Sequence, residues 1–373
     1  MGEAGFFNSE LDHLLILRAT DWPDSWQDKI RGQFPNLKIT GLTVDITKPF
    51  EETVPKDILA EATVIALNTT KYLPLPESIP NIKLIHTFSA GVNQIIKEPY
   101  ITRTNLPLTT SSGIHGPPIS EWILLNWLVS SRNYHALYEG QKRHEWINAR
   151  QYAPSGLTDH VGKRVAILGY GSIGRQVGRI AVSLGAQVYA YTASAKNTAE
   201  SRKDNGYIVP GTGDPDGIIP VEWHHGTSKE ELRHFLSTTK PDHVVISLPL
   251  TPATTNLFDR EEFKAWSSSS FPSSSARKGF LTNISRGPIV NTSALIEAVR
   301  SKSIRGAALD VTDPEPLPKE HPLWDVEGIQ ISPHVSSVGD EYFERALDVL
   351  RINLERLQEG GRLVNLFQRR RGY

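Results

Sequence analysis

Short apolar runs alternate with polar, helix-patterned stretches along most of the chain. In the first part the pattern predicts a strand at Leu14–Leu17 and a helix from Asp21 to about Gln33, with Asp and Ser as capping residues. A strand at Leu42–Ile46, a short helix at Lys56–Glu61, and strands at Thr63–Leu67, Lys83–Thr87 and Leu106–Thr110 follow. The strand ending at Thr87 runs into Phe88-Ser-Ala-Gly-Val-Asn93. Next comes a long helical stretch, Pro118 to about Trp146, carrying Trp122, Leu125, Trp127, Leu128, Leu137 and Tyr138. It reads equally as one or two core helices or as an arm that buries aromatics against a second subunit.

The middle of the chain opens with an apolar run from Val165, then Gly169-x-Gly171-x-x-Gly174. A helical pattern (Ile173, Val177, Ile180, Ala181, Leu184) stops at Gly185, and a strand follows at Gln187–Tyr191. Residues Asp204–Gly217 are dense in turn formers and read as a surface insertion, ordered or mobile. A helix at Lys229–Leu236 and a strand at His243–Pro249 come next. Ser267–Ser275 is low-complexity and reads as a loop. Strands at Gly279–Ile284, Gly306–Asp310 and Ile329–Ser332 and a helix at Thr292–Ser301 complete the series. A last helix, Gly339 to about Glu359, stops at Gly360-Gly361. It has left the sheet pattern, so it could pack back on the first unit. Such alternation argues parallel sheets with helices on both faces.

The glycine turn carries chemistry. Strand, glycine turn, helix and strand within about 30 residues is the context of a dinucleotide site. The first glycine permits the tight turn, the second lets a pyrophosphate approach the backbone, and the third lets helix and strand pack closely. The helix N-terminus, at Ser172 and Ile173, offers free N–H groups and partial positive charge to phosphates.

Composition narrows the classes. At 373 residues, two domains are expected. A net charge of −1 gives no reason to expect nucleic acid or a membrane surface as partner, and no apolar run approaches a membrane span. Met1–Glu10 lacks the basic region and apolar core of a signal peptide. With no cysteine there is no disulfide or thiolate chemistry, which fits a reducing compartment; a cytoplasmic location is expected. The histidines show no metal-ligand spacing, so no metal site is argued.

Three polar clusters fall where strands end: Asn283–Asn291, Ala308–Leu317 and Ile331–Ser337. In open α/β sheets that edge is where ligands bind. Each of Arg286, Glu315 and His334 has a dull reading on its own, as a loop arginine, a solvated carboxylate or a satisfied histidine. Their order behind a dinucleotide turn argues otherwise.

With these motifs, and with Ser247-Leu-Pro-Leu-Thr-Pro252, the sequence resembles the D-isomer-specific 2-hydroxyacid dehydrogenases over nearly its whole length. The resemblance implies two Rossmann-like or flavodoxin-like domains, the cofactor domain inserted into a discontinuous substrate domain. The boundaries expected are 1–116 plus 338–373 for the substrate domain and 117–337 for the cofactor domain, the latter with the arm 118–146. It favours a homodimer formed through that arm. Close relatives differ: formate dehydrogenases of this fold carry glutamine where Glu315 stands, and regulated phosphoglycerate dehydrogenases often continue into a further domain.

The implied reaction is reduction of a 2-oxo acid to the D-2-hydroxy acid, and the reverse; glyoxylate, hydroxypyruvate and bulkier aliphatic or aromatic 2-oxo acids all stay open. Arg286 would bind the substrate's carboxylate and ketone oxygens through its planar fork. His334 is the natural general acid, and the base in reverse. Glu315 would hold the imidazole and favour its protonated form. Backbone N–H groups of Ala90, Gly91 and Val92 look like the family's second carboxylate cradle. Leu248, Pro249, Thr254, Ile284 and Ser285 join the glycine turn as cofactor contacts. Asp310 would either face the nicotinamide carboxamide or cap a turn.

An acidic residue about 20 positions past the glycine turn would favour NAD. Here Tyr191 is followed by Thr192-Ala-Ser-Ala-Lys-Asn197, with no carboxylate until Glu200. Thr192 and Ser194 can donate to a 2′-phosphate, and Lys196, with Arg202 or Lys203, can offset its charge. NADP(H) is therefore favoured; the arginine common in NADP-preferring members is missing, which leaves use of NAD(H) open. The rival class is a dinucleotide-sensing binding protein or corepressor on the same fold, for which Arg369-Arg-Arg371 is the only hint. The substrate's side chain is expected near Thr70-Lys-Tyr72 and the arm. His115 reads as structural rather than as a cleft residue.

Overall fold

A computed structural model describes residues 11–20, 25–68, 71–92, 94–153, 157–268 and 278–369. The expected helix start at Asp21, Thr70, Asn93, most of the low-complexity loop, and Arg370-Arg371 lie outside the described residues. The chain forms two compact units. One comprises Met1–Ile114, Asn205–Tyr207 and Gly339–Tyr373; the other comprises His115–Asp204 and Ile208–Val338.

The first unit contains β1 (His13–Arg18), α1 (Ser25–Gln33), β2 (Lys38–Thr43), α2 (Phe50–Thr53), α3 (Lys56–Glu61), β3 (Val64–Leu67), β4 (Leu84–Thr87), α4 (Pro99–Arg103) and β5 (Leu108–Thr110). These strands form one parallel sheet in the order β2-β1-β3-β4-β5, the flavodoxin-like winding. Leu14–Leu17, Val64–Leu67 and Leu84–Thr87 are buried throughout, because helices cover both faces. The expected strand at Leu42–Ile46 sits earlier, at Lys38–Thr43, where Lys38 pairs with His13. It is the edge strand and half-exposed, so its apolar run marks the end of the strand and Val44 enters the core beyond it.

The C-terminal helix does return to this unit. It is Tyr342–Gln358, and the Tyr342 hydroxyl donates to the Phe88 carbonyl at 2.7 Å. The chain after it is tied down too: Asn353 Oδ1 accepts from Val364 N–H, and Phe367 N–H donates to Leu108 at 2.8 Å. Arg369 donates to the carbonyls of Ile101 and Leu106, so it is an anchor rather than a solvated tail.

Two buried histidines make a prediction about acid stability. His86 lies on β4 between the hydroxyls of Thr109 and Ser111, and burial lowers its pKa to about 3. Burial lowers that of His115, in the second unit, to about 4. The unfolded chain therefore takes up these protons first. Stability is complete above about pH 6.5 and is lost as pH falls toward 4, by about 2 kcal/mol per histidine at pH 5. Denaturant unfolding at pH 7 and pH 5 measures this. His86→Gln should remove its share of the difference; an unchanged difference would refute the assignment.

The second unit opens with α5 (Gly116–Ser131), α6 (Tyr134–Lys142) and α7 (Ala149–Tyr152). The expected long helical stretch is thus broken, at Asn133, whose φ of 46° is left-handed. Then come β6 (Arg164–Leu168), α8 (Ser172–Ser183), β7 (Gln187–Thr192), α9 (Ala199–Arg202), β8 (Glu222–His225), α10 (Lys229–Thr239) and β9 (His243–Ile246). The unit closes with α11 (Arg260–Ser268), β10 (Phe280–Asn283), α12 (Thr292–Arg300), β11 (Gly306–Leu309) and β12 (Ile329–Ile331); the C-terminal helix of the first unit is α13. The sheet is parallel, in the order β12-β11-β10-β9-β6-β7-β8. That is the Rossmann order with one strand added. Strand β8 and helix α11 have no counterpart in the sequence reading. Strand β8 is a polar edge strand, Glu-Trp-His-His, without the apolar run that marks the others.

The insertion at Asp204–Gly217 is ordered. Asp214 is 3% exposed and accepts from the Tyr170 hydroxyl and from the N–H groups of Ile218 and Ile219. Helix α8 holds it: Arg175 donates to the carbonyls of Asp214 and Arg202 and pairs with Asp204, and Gln176 accepts from Gly213 N–H. Among the described residues, no helix is long and apolar enough to cross a membrane.

Candidate active site

Because every strand of the second sheet is parallel, the loops after β6, β7, β9, β10, β11 and β12 emerge at one edge. The glycine turn lies after β6. Gly169 has φ of +91°, and a Cβ there would lie 2.5 Å from the Ser247 carbonyl oxygen. A Cβ on Gly174 would lie 2.4 Å from the Gly169 oxygen, so this glycine sets the helix against the turn. Gly171 is different: a Cβ there meets nothing within 4 Å. Its missing side chain keeps open the space in front of the α8 N-terminus, whose first N–H groups have no partner within the helix. The turn, with Ser172 and Ile173, therefore fits a pyrophosphate.

The neighbouring loops are knit together. The Ser285 hydroxyl, after β10, donates to the Leu248 carbonyl, after β9. Thr254 Oγ1 donates to the Pro249 carbonyl at 2.8 Å, and Ile284 is buried beneath. After β7, Thr192 Oγ1 donates to the Ser194 carbonyl at 2.8 Å, so its proton shapes the loop; Ser194 is exposed and Lys196 half-buried. Arg202 Nε donates to the Lys196 carbonyl, and its guanidinium stands over the Trp223 ring.

Arg286, Glu315 and His334 follow the adjacent strands β10, β11 and β12, which span about 10 Å. Asn283 holds the Arg286 turn: its Oδ1 accepts from Ser285 N–H, and its Nδ2 donates to the Arg286 carbonyl. Arg286 Nη1 donates to the Ser285 carbonyl at 2.7 Å, and the guanidinium makes no ion pair among the described residues. Gly287 lets the next loop close in, since a Cβ there would lie 1.9 Å from the Thr312 carbonyl oxygen. His334 Nδ1 is 2.7 Å from Glu315 Oε1, and both side chains are partly exposed. The ring thus has one nitrogen against a carboxylate and the other free to act.

Asp310 is 1% exposed and organises the His334 turn. Its Oδ1 accepts from the Ser332 hydroxyl at 2.6 Å and from the N–H groups of Val335 and Ser336; its Oδ2 accepts from Ser336 N–H. The Asp310 carbonyl accepts from His334 N–H at 2.8 Å. These bonds hold His334 at φ of 57°, a left-handed conformation that non-glycine residues adopt at some cost. Its carboxylate thus caps this turn, one of the two roles open for Asp310. Asn283, Gly287, Ser332 and Ser336 are supporting residues that the sequence reading did not single out. Their only signal was membership of the strand-end clusters.

On the first unit, Ala90, Gly91 and Val92 lie in the loop after β4. The Gly91 carbonyl accepts from the Ser89 hydroxyl at 3.0 Å, the Ala90 carbonyl accepts from the Ser112 hydroxyl, and Val92 is buried. These bonds occupy carbonyls rather than N–H groups.

Residues 124–210 and 219–336, more than half of the chain, match the family model described as D-isomer specific 2-hydroxyacid dehydrogenase, NAD binding domain. The gap in the match overlaps the insertion. A glyoxylate reductase of Thermofilum pendens is 26% identical over 315 residues, covering 84% of this chain and 83% of that protein. A hydroxypyruvate reductase of Blautia hydrogenotrophica is 26% identical over 313 residues, covering 81% of this chain and 84% of that protein. The structure of a D-isomer specific 2-hydroxyacid dehydrogenase from Xanthobacter autotrophicus Py2, in complex with NADPH and MES, has a TM-score of 0.72 at 23% identity, covering 98% of this chain and 100% of that chain.

Proposed function

Because this chain belongs to the D-isomer-specific 2-hydroxyacid dehydrogenase family, we propose that it reduces a small 2-oxo acid to the D-2-hydroxy acid, and the reverse, with NADP(H) favoured over NAD(H). The observation that carries this is the 2.7 Å pair between His334 and Glu315, set beside the Arg286 loop on the edge that holds the glycine turn. The reduced nicotinamide, when bound, supplies the hydride that reaches C2 of the substrate. Arg286 binds the carboxylate and polarises the ketone through its fork. His334 gives a proton to the oxygen that becomes the hydroxyl and takes it back in the reverse direction. Glu315 fixes the ring through its contact with Nδ1. Gly169, Gly171 and Gly174 with Ser172 and Ile173 would hold the pyrophosphate. Leu248, Pro249, Thr254, Ile284 and Ser285 would line the rest of the cofactor's path. Ala90, Gly91 and Val92 are candidates for further carboxylate contacts through their N–H groups.

Glyoxylate and hydroxypyruvate are the first substrates to try, in view of the names of the relatives. Oxidation of NADPH by either, or by bulkier 2-oxo acids, is the expected result. A protein that binds the dinucleotide yet turns over none of them would favour the rival sensor reading.

The arm supports a homodimer. Leu125, Leu128, Tyr134, Leu137 and Tyr138 are exposed on α5 and α6 of the single chain, and Trp146 beyond them is 100% exposed. Such a patch marks an association surface. Light scattering should report a dimer, and Leu137→Glu with Trp146→Glu should yield monomers. A wild-type monomer at micromolar concentration would refute this.

A further inference from the structure

We propose that His225, at the end of β8, reads the 2′-phosphate of NADP(H) beside Thr192 and Lys196, so that the preference for NADP(H) over NAD(H) strengthens as this imidazole gains a proton. The inference rests on the NADP(H) reading above. It starts from charge. A 2′-phosphate needs cations and donors, and the loop after β7 has no arginine to supply a fork. The nearby basic residues are committed elsewhere. Arg175 is buried against Asp204 and the carbonyls of Asp214 and Arg202, and Lys203 pairs with Glu200 at 2.7 Å. Arg202 donates to the Lys196 carbonyl and stands over Trp223. Lys196 has no carboxylate partner among the described residues, but it is a single flexible ammonium.

Strand pairing brings in a second cation. In the parallel register of β7 and β8, Thr192 lies opposite His225 and Tyr191 opposite His224. Partners in register share a face, and adjacent strands lie about 4.8 Å apart. Gly226 N–H donates to the Thr192 carbonyl at 3.0 Å, so the two strand ends are fastened. His225 is exposed there. Sequence reading alone sees His225 as 33 positions from Thr192; the sheet makes them neighbours.

Most of the charged groups around His225 have partners of their own. On its own strand, Glu222 and His224 pair with each other at 2.9 Å. On α10, Glu230 pairs with Arg233, and Glu231 accepts from the N–H groups of Thr227 and Ser228 and from the Ser228 hydroxyl; the charge of His225 also helps to hold the Glu231 carboxyl below its ordinary range. His225 lines one recess with Tyr191, His224, Glu230, Glu231 and His234. Burial, with Glu231 beside it, raises the Tyr191 pKa to about 12, so that phenol stays neutral. An imidazole changes charge between pH 5 and 8, and the nicotinamide dinucleotide without the 2′-phosphate offers it no anion to read.

Calorimetric titration with NADP⁺ and NAD⁺ at pH 6.0 and 8.5 tests this on wild type, His225→Gln and His225→Lys. The ratio of wild-type to variant affinity for NADP⁺ is taken at one pH, so the titration of the ligand's own phosphate cancels. His225→Gln should weaken NADP⁺ about tenfold at pH 6.0 and little at pH 8.5, as for loss of one charge-assisted hydrogen bond, with NAD⁺ unchanged. His225→Lys should keep NADP⁺ affinity at both pH values. If wild type favours NADP⁺ and His225→Gln leaves that preference unchanged at pH 6.0, the proposal fails alone. A wild type that favours NAD⁺ throughout overturns the NADP(H) reading and the proposal together.

Discussion

His334→Gln is expected to lower kcat by about 10³-fold, within the range found for loss of a positioned general acid. Glutamine keeps hydrogen-bonding capacity toward Glu315 but has no proton to exchange near neutral pH. The His334 ring meets Glu315 through Nδ1 at 2.7 Å, which leaves Nε2 free for the proton exchange proposed above. Reduction needs that nitrogen protonated and oxidation needs it bare, so wild-type reduction should fall, and oxidation rise, toward high pH. The variant should lose this opposite dependence, while its dinucleotide dissociation constant stays as in wild type. Turnover at the wild-type rate, or an unchanged pH profile in both directions, would remove His334 from the mechanism.

Asp310→Asn should be nearly as damaging, by a different route. The carboxylate accepts four hydrogen bonds from residues 332–336 while almost fully buried. An amide replaces one accepting oxygen with a donor that faces other donors. Unsatisfied buried groups of this kind cost about 1–3 kcal/mol in stability. The turn that holds His334 at its left-handed φ would then relax, and a misplacement of about 1 Å is worth about 10²-fold in rate. On this expectation Asp310 acts as a positioning residue. The discriminating measurement is kcat against dinucleotide affinity. A loss of kcat with unchanged NADP⁺ affinity fits this role. Weakened NADP⁺ binding with kcat intact would return Asp310 to the nicotinamide.

How much of this was legible in the sequence depends on the range of the interaction. The glycine turn was legible because its signal is local: three backbone positions, a strand before and a helix after, all within a few turns of chain. The strand-end clusters at Arg286, Glu315 and His334 were legible for the same reason, since each apolar run points to the loop that follows it. The resemblance to the 2-hydroxyacid dehydrogenases rested on those local motifs and their order, and the family match bears it out. Cores of buried parallel strands are also local statements, as continuous apolar runs.

What the sequence could not carry was adjacency. Strand β9 inserts beside β6, while β7 and β8 go to the far side, and only this order sets the loops of β6, β9 and β10 next to one another. Edge strands escaped notice or were misplaced, as at β8 and β2, because one exposed side removes the apolar pattern that betrays a strand. Asp310 was ambiguous between a ligand contact and a turn cap, since a carboxylate suits both and only the position of residues 332–336 decides. The same holds for His225 and Thr192, which are distant along the chain and paired in the sheet. The sequence by itself determined the buried strands, the glycine turn and the loops that carry Arg286, Glu315 and His334, because backbone geometry and side-chain patterning act over a few residues. The tertiary structure decided which of those loops meet, because strand pairing joins segments whose separation along the chain leaves no periodic mark.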